Sequence, residues 1–218
     1  MGNPPPLPTF VRPMLAQPGR PFDSDQHLFE IKWDGIRALA YVEDAGYRLV
    51  SRHGLALGAL FPELAVLGDL PPGTLLDGEL VVLRRGRPDL SLVQSRHGLR
   101  SAQKIRLRAQ TTPATYIVFD QLYDEYRPLL GRPLSVRRDI LGGTLRRAGP
   151  PRLVFSQGVL GAGRAFFGQV VDRRLEGVVA KRLDSLYRPG RRDGAWIKIK
   201  PSESNSPTLL TVRPGKER

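Results

Sequence analysis

The segment Glu30-Ile31-Lys32-Trp33-Asp34-Gly35-Ile36-Arg37 places a single lysine between two apolar stretches, just ahead of an Asp-Gly turn. Working outward from it, apolar alternation and β-branched content predict strands at 28–33, 36–43 and 47–51. Asp34-Gly35 and Asp44-Ala45-Gly46 read as the turns of an antiparallel meander. Lys32 then stands at a strand end, a setting in which a lysine amine can act as a nucleophile.

The rest of the chain reads as mixed α and β. A short helix is expected at 60–67 and a strand at 74–84, interrupted by the polar Asp77-Gly78-Glu79. Charges inside an apolar strand demand a reason. Thr115–Tyr123 reads as a buried strand, and Leu134–Arg147 and Gly163–Leu175 as helices. Two last strands, Gly177–Arg182 and Ala195–Lys200, flank a Gly/Pro/Arg loop. The proline-rich residues 1–21 read as an extended lead-in, with the fold beginning near Phe22, one domain over 22–201, and a polar tail over 202–218.

With 218 residues the chain is long enough for one sizeable core. It has no cysteine, which excludes disulfides and thiolate metal sites, and His27, His53 and His97 are too scattered for a zinc site. Any metal should be a hard cation on oxygen ligands. A net charge of +13 favours a polyanionic partner such as nucleic acid. The bias is local as well as global. Between residues 84 and 108, Arg84, Arg85, Arg87, Arg96, Arg100, Lys104, Arg106 and Arg108 face only Asp89, the pattern of a phosphate-tracking surface or of a solvated basic face. No long apolar run or secretory leader is present, so a cytoplasmic protein away from membranes is expected.

Lysine is used sparingly: only 6 of the 34 basic residues are Lys, and four of them, Lys32, Lys181, Lys198 and Lys200, lie in strand-like motifs. Arginine stays charged, whereas a lysine amine loses its proton when burial and neighbouring cations favour it. Lys198 and Lys200 alternate with Ile197 and Ile199, which sends both amines to one face and the isoleucines to the core. An isolated Trp-Ile-Lys-Ile-Lys would be an ordinary edge strand. In company with Lys32 and Lys181 it suggests cations gathered around a phosphate. Glu79 and Glu176, each beside a glycine, are the natural carboxylates for Mg²⁺ or a ribose hydroxyl, and Phe119 is a candidate for stacking on a purine. No Walker-type phosphate loop occurs, and Gly158–Gly163 has the wrong spacing for a dinucleotide fingerprint and reads as a loop before a helix.

In this order the motifs resemble the adenylation domain of ATP-dependent DNA ligases, most closely the ligase domain of bacterial end-joining ligases. Lys32-Trp33-Asp34-Gly35 with Arg37, Ser51-Arg52-His53-Gly54, Phe61-Pro62-Glu63-Leu64, Asp77-Gly78-Glu79, Tyr116–Asp120, Glu176–Lys181 and Trp196–Lys200 carry the likeness, over roughly residues 11–201. The resemblance implies an ATP-grasp-like α+β nucleotidyltransferase core, antiparallel sheets flanked by helices, with a central nucleotide cleft. It implies that Lys32 takes AMP from ATP, with Mg²⁺, and passes it to a nicked or broken double-stranded DNA end in repair or recombination. Glu30 and Ile31 would meet the base and Phe119 would stack on it. Arg37 and Glu79 would hold the ribose, Arg52 the AMP phosphate or DNA end, and Lys181, Lys198 and Lys200 the phosphates, with Glu79 and Glu176 as metal ligands. It also implies a bacterial, nucleoid-associated protein. About 18 residues follow Lys200, where the family continues into an OB-fold domain, so an OB-like or DNA-repair partner in trans is expected. Gly58 stands where the subgroup carries a hydroxyl residue. Two other functions share these motifs: ligation of RNA or another polynucleotide, and a non-catalytic nucleic-acid end-binding module.

Overall fold

The computed structural model describes residues 5–148 and 152–201. The chain runs β1 (Gln17–Pro18), β2 (Ser24–Ile31), β3 (Ile36–Glu43), β4 (Gly46–Ser51), two 3₁₀ segments (Gly58–Leu60 and Pro62–Asp69), β5 (Thr74–Arg84), β6 (Arg87–Pro88), α1 (Leu90–Gln94) and α2 (Ala102–Thr111). It continues with β7 (Ala114–Asp124), β8 (Arg127–Pro128), α3 (Leu134–Ala148), β9 (Leu153–Phe155), β10 (Gly158–Gly161), α4 (Gly163–Asp172), β11 (Val178–Arg182) and β12 (Trp196–Ile199). The expected tail at 202–218 lies outside the described residues.

The strands form two sheets. One has the order β1-β12-β11-β2-β10; the other runs β4-β3-β5-β7-β8, with β6 on β5 and β9 on β7. This corrects the single meander expected for 28–51, because β2 and β3 belong to different sheets. Asp34-Gly35 is therefore the crossing between sheets, not a hairpin turn. Local alternation cannot reveal it: the sheet a strand joins is set by its pairing partners, which for β2 are β10 and β11, far along the chain. Gly35 is obligatory at the crossing, since a Cβ there would stand 2.2 Å from the carbonyl oxygen of Leu80 on β5.

The largest core packs on the seven-stranded sheet around Ala38, Ala40, Phe61, Leu64, Leu76, Leu80, Tyr116, Val118 and Leu141. A second cluster fills the space between the sheets with Met14, Leu39, Tyr41, Leu75, Phe119, Leu122, Tyr187 and Trp196. A small third one, Phe29, Val170, Val178, Ala180 and Ile199, seats α4 on the five-stranded sheet.

Four further expectations are revised. Residues 5–21 are extended, as their prolines dictate, yet they are part of the fold: Leu7, Val11 and Met14 are buried in the second core, and β1 pairs with β12 in parallel. The helix expected at 60–67 is 3₁₀ in form. Gly158–Gly161 forms β10, antiparallel to β2, where a loop was expected. In the basic stretch, Arg96 is fully buried and bonded to Glu63 Oε1 at 2.7 Å and to the carbonyls of Leu60 and Thr112, so it supports the fold and faces no polyanion. The stretch also contains α1 and α2, which its charge density disguised. Helix α2 buries none of its side chains and leaves Lys104, Arg106 and Arg108 exposed. Among the described residues, no helix is long and apolar enough to cross a membrane.

Candidate active site

An open cleft of about 1160 Å³ lies between the sheets. It is lined by Glu30, Ile31, Lys32, Arg37, Arg52, Glu79, Phe119, Glu176, Lys181 and Lys198, so nine of the candidate residues other than Lys200 share one wall system with the nucleophile. Trp196, His53, His97 and residues Phe10–Ala16 of the N-terminal segment complete it.

Lys32 is the first residue beyond β2. Its backbone N–H donates to the carbonyl of Gly177 at 2.8 Å, pinning it to the start of β11. Its ammonium meets Glu176 Oε2 at 2.5 Å, and Lys200 meets the other oxygen of the same carboxylate at 2.8 Å. Gly177 has φ +148°, and a Cβ there would lie 2.2 Å from the Ile199 carbonyl, so only glycine brings Glu176 this close to β12. Along β12 the expected alternation holds: Trp196 and Lys198 face the cleft, while Ile197 and Ile199 pack on the third core. Lys200 lies just past the strand and is half exposed, reaching the site through Glu176. Lys198 lines the same cleft as Lys32 and has no ion-pair partner among the described residues.

The seven-stranded sheet supplies the opposite wall, and here the charges inside β5 find their reason. Asp77 is fully buried and accepts a two-pronged ion pair from Arg37, at 2.9 and 2.6 Å, and a hydrogen bond from Tyr187 Oη at 2.7 Å. Next to it on β7, Asp120 is bonded in the same way by Arg137 of α3, at 2.8 and 2.7 Å. The guanidinium of Arg37 lies 5.1 Å from the centre of the Phe119 ring, and Lys181 Nζ lies 4.1 Å from it, so the candidate base-stacking ring is bracketed by cations. Glu79 is the cross-strand neighbour of Arg37. Burial pushes its carboxyl up to about 8, against the pull of Arg37 and Lys32. The Asp34 carboxyl is likewise raised, by burial first and by the charge of Glu176 second.

Glu30 is 1% exposed and held by two cations: Arg138 Nη1 donates to Oε1 at 2.7 Å, and Lys181 approaches Oε2 at 2.5 Å. Burial lowers the Lys181 pKa, Glu30 opposing that shift. Arg52 is exposed at the cleft mouth, its Nε donating to His53 Nε2 at 2.8 Å. Arg137 and Arg138 are the site residues missed from sequence. A signal existed: Leu134, Arg138, Leu141 and Leu145 recur at helical spacing, so an arginine occupies a core position of α3.

Mg²⁺ fits the donors present. Glu79 and Glu176 offer hard oxygen atoms in the cleft, those of Glu176 being met by Lys32 and Lys200. No cluster of three or more His, Cys, Asp or Glu side chains occurs among the described residues. That agrees with an ion held by one or two carboxylates plus substrate phosphates.

A two-sheet fold with a cleft lysine ringed by further lysines and carboxylates defines the nucleotidyltransferase class. The model of the ATP dependent DNA ligase domain matches residues 13–200, and the chain belongs to that family. It is 37% identical over 199 residues to DNA ligase C1 of Mycolicibacterium smegmatis, covering 87% of this chain and 56% of that protein. To the SPbeta prophage-derived DNA ligase-like protein LigB of Bacillus subtilis it is 33% identical, covering 87% and 67%. Among solved structures, the ligase domain of Mycobacterium tuberculosis LigD superposes with a TM-score of 0.72 at 34% identity, over 87% of this chain and 60% of that one. A mycobacterial DNA ligase D complexed with ATP and MES gives 0.69 at 35%, again over 87% and 60%. The chain thus spans between about half and two thirds of these relatives.

Proposed function

We propose that this protein is an ATP-dependent DNA ligase that joins a 5′-phosphate to a 3′-hydroxyl in nicked or broken double-stranded DNA, through a lysyl-AMP intermediate. The observation that carries the reading is Lys32 in the cleft, sharing the Glu176 carboxylate with Lys200 in a wall that also holds Lys198.

The reaction has three displacements at phosphorus. Lys32, as the free amine, attacks the α-phosphorus of ATP; an N–P bond forms, the bond to the β-phosphate oxygen breaks, and pyrophosphate leaves with the electron pair. The amine proton passes to water at the half-exposed side of the cleft. A DNA 5′-phosphate oxygen then takes the AMP, returning Lys32 to the amine. Finally the 3′-hydroxyl attacks the 5′-phosphorus and AMP departs. Lys198, Lys200 and Lys181 neutralise the oxygens on which charge grows, where preorganised cations count for most. Glu30 meets the adenine edge, Phe119 stacks on the ring, Arg37 and Glu79 hold the ribose, and Arg52 meets the phosphate or DNA end at the cleft mouth. Glu79 and Glu176 would hold Mg²⁺, which would add to the neutralisation of phosphate charge. The exposed cations of α2 provide a track for the DNA backbone. An OB-like or repair-protein surface acting on the open side of the cleft in trans, in a bacterial cytoplasm, completes the reading.

The test is incubation with Mg²⁺ and ATP labelled on its α-phosphate. Wild type should acquire acid-labile label and Lys32→Ala none, a loss of more than about a thousandfold. No label on wild type, with no sealing of a pre-adenylated nick, removes the enzyme reading in favour of an end-binding module. Matched DNA and RNA nicks separate DNA from RNA joining.

A further inference from the structure

We propose that Arg138 is the residue that makes this site selective for adenine, by fixing the Glu30 carboxylate as a pure acceptor with one oxygen turned to the base. The inference rests on the nucleotidyl-transfer reading above and names a positioning residue for it.

The geometry is specific. From α3, Arg138 is 8% exposed and spends its donors on three elements at once: Glu30 Oε1 on β2 at 2.7 Å, the Phe119 carbonyl on β7 at 3.2 Å, and the Ser156 carbonyl just after β9 at 2.6 Å. Its guanidinium also lies 4.4 Å from the centre of the Phe155 ring. Ser156 in turn accepts a hydrogen bond on Oγ from Trp33 Nε1 at 3.3 Å, beside the nucleophile. One side chain therefore ties together the base-reading acid, the stacking ring and the neighbour of Lys32, across both sheets.

The second observation lies on Glu30 itself. Oε2 is buried in the cleft wall with Lys181 Nζ 2.5 Å away. A carboxylate oxygen has two acceptor sites, so this single cation leaves one for a further donor. The exocyclic amine of adenine is one; guanine presents an oxygen at the same place, and an acceptor facing an acceptor is repelled. Discrimination then requires that the carboxylate not rotate. Arg138 secures this through its bond to Oε1, from a guanidinium itself fixed by the Phe119 and Ser156 carbonyls. Lysine cannot replace it: one ammonium cannot reach three acceptors on three elements with fork geometry.

The experiment uses the 218-residue chain and reads lysyl-nucleotide formation with ATP and GTP, alongside thermal melting. Arg138→Lys should raise the KM for ATP about tenfold, leave kcat within about twofold, and narrow the ATP-over-GTP preference by about tenfold. Arg138→Gln, a shorter and neutral donor, should behave in the same direction. In the double variant Glu30→Gln/Arg138→Lys, the Arg138 change should add nothing further to the loss caused by Glu30→Gln, since both act through one carboxylate. A merely structural role would lower melting temperature and the active fraction equally for both nucleotides, with KM and preference unmoved, and that result overturns the proposal. Failure of the wild type to take label from ATP would instead strike the nucleotidyl-transfer reading, so the two failures are distinguishable.

Discussion

The two sheets divide the labour unequally. The five-stranded sheet presents the lysines proposed to act on phosphate, Lys32 at the end of β2, Lys181 on β11 and Lys198 on β12, over a small core of which Phe29, Val170, Val178, Ala180 and Ile199 are the buried members. The seven-stranded sheet presents Arg37, Glu79 and Phe119, proposed to hold the nucleoside together with Glu30 of β2, on a much larger core stiffened by the buried pairs Asp77–Arg37 and Asp120–Arg137. Lys32 and Lys200, which share Glu176, are partly exposed, whereas Lys181 is buried against the Phe119 and Trp196 rings.

That contrast can be attacked from its strongest point. Asp120→Ala strands Arg137 fully buried with no counter-charge, and should cost about 3–5 kcal/mol in urea unfolding. Phe61→Ala, in the large core and remote from the chemistry, should cost about 3–5 kcal/mol while leaving the ATP KM of the folded fraction unchanged. A loss of nucleotide affinity there would mean that the large sheet does more than hold geometry.

A smaller effect concerns Glu79. Folded, it keeps its proton up to about 8, whereas the unfolded chain releases it near 4.5. The native state thus binds more protons across that window, so the empty protein should lose stability as pH rises from about 4.5 to about 8. Melting temperature against pH should show this slope in wild type and a flatter one in Glu79→Gln. The smallest effect belongs to α2. Lys104→Ala, Arg106→Ala and Arg108→Ala should each leave stability untouched and reduce the slope of log DNA affinity against log salt by roughly 0.9. Arg96→Ala, upstream of α2 in a basic run that looks uniform, should destabilise the fold instead.

Much of the site was legible because its residues travel in short motifs. Glu79 and Glu176 lie beside glycines, Lys198 in an alternating strand, Phe119 in an apolar run and Lys32 just ahead of an Asp-Gly, and local pattern is enough to flag them. What escaped depends on partners distant in sequence. Arg96 reads as surface charge until Glu63 is placed against it, and Arg138 reads as a helix-face cation until Glu30, over a hundred residues earlier, is seen to meet it. The split of β2 and β3 between sheets escaped for the same reason. Alternation says that a strand has two faces, but not which strand lies alongside.

The five-stranded sheet is also built from both ends of the chain, with Gln17 opposite Ile197 and Lys181 opposite Trp196. A protein made from its N-terminus forward meets these partners in a fixed order. The seven-stranded sheet and its core are complete once β9 has left the ribosome, but the wall that holds Lys198 and draws Glu176 to Lys32 awaits the final strand. On the proposed reading, Lys32 is translated early and becomes competent late, and a nascent chain would not charge itself with nucleotide before β12 has paired.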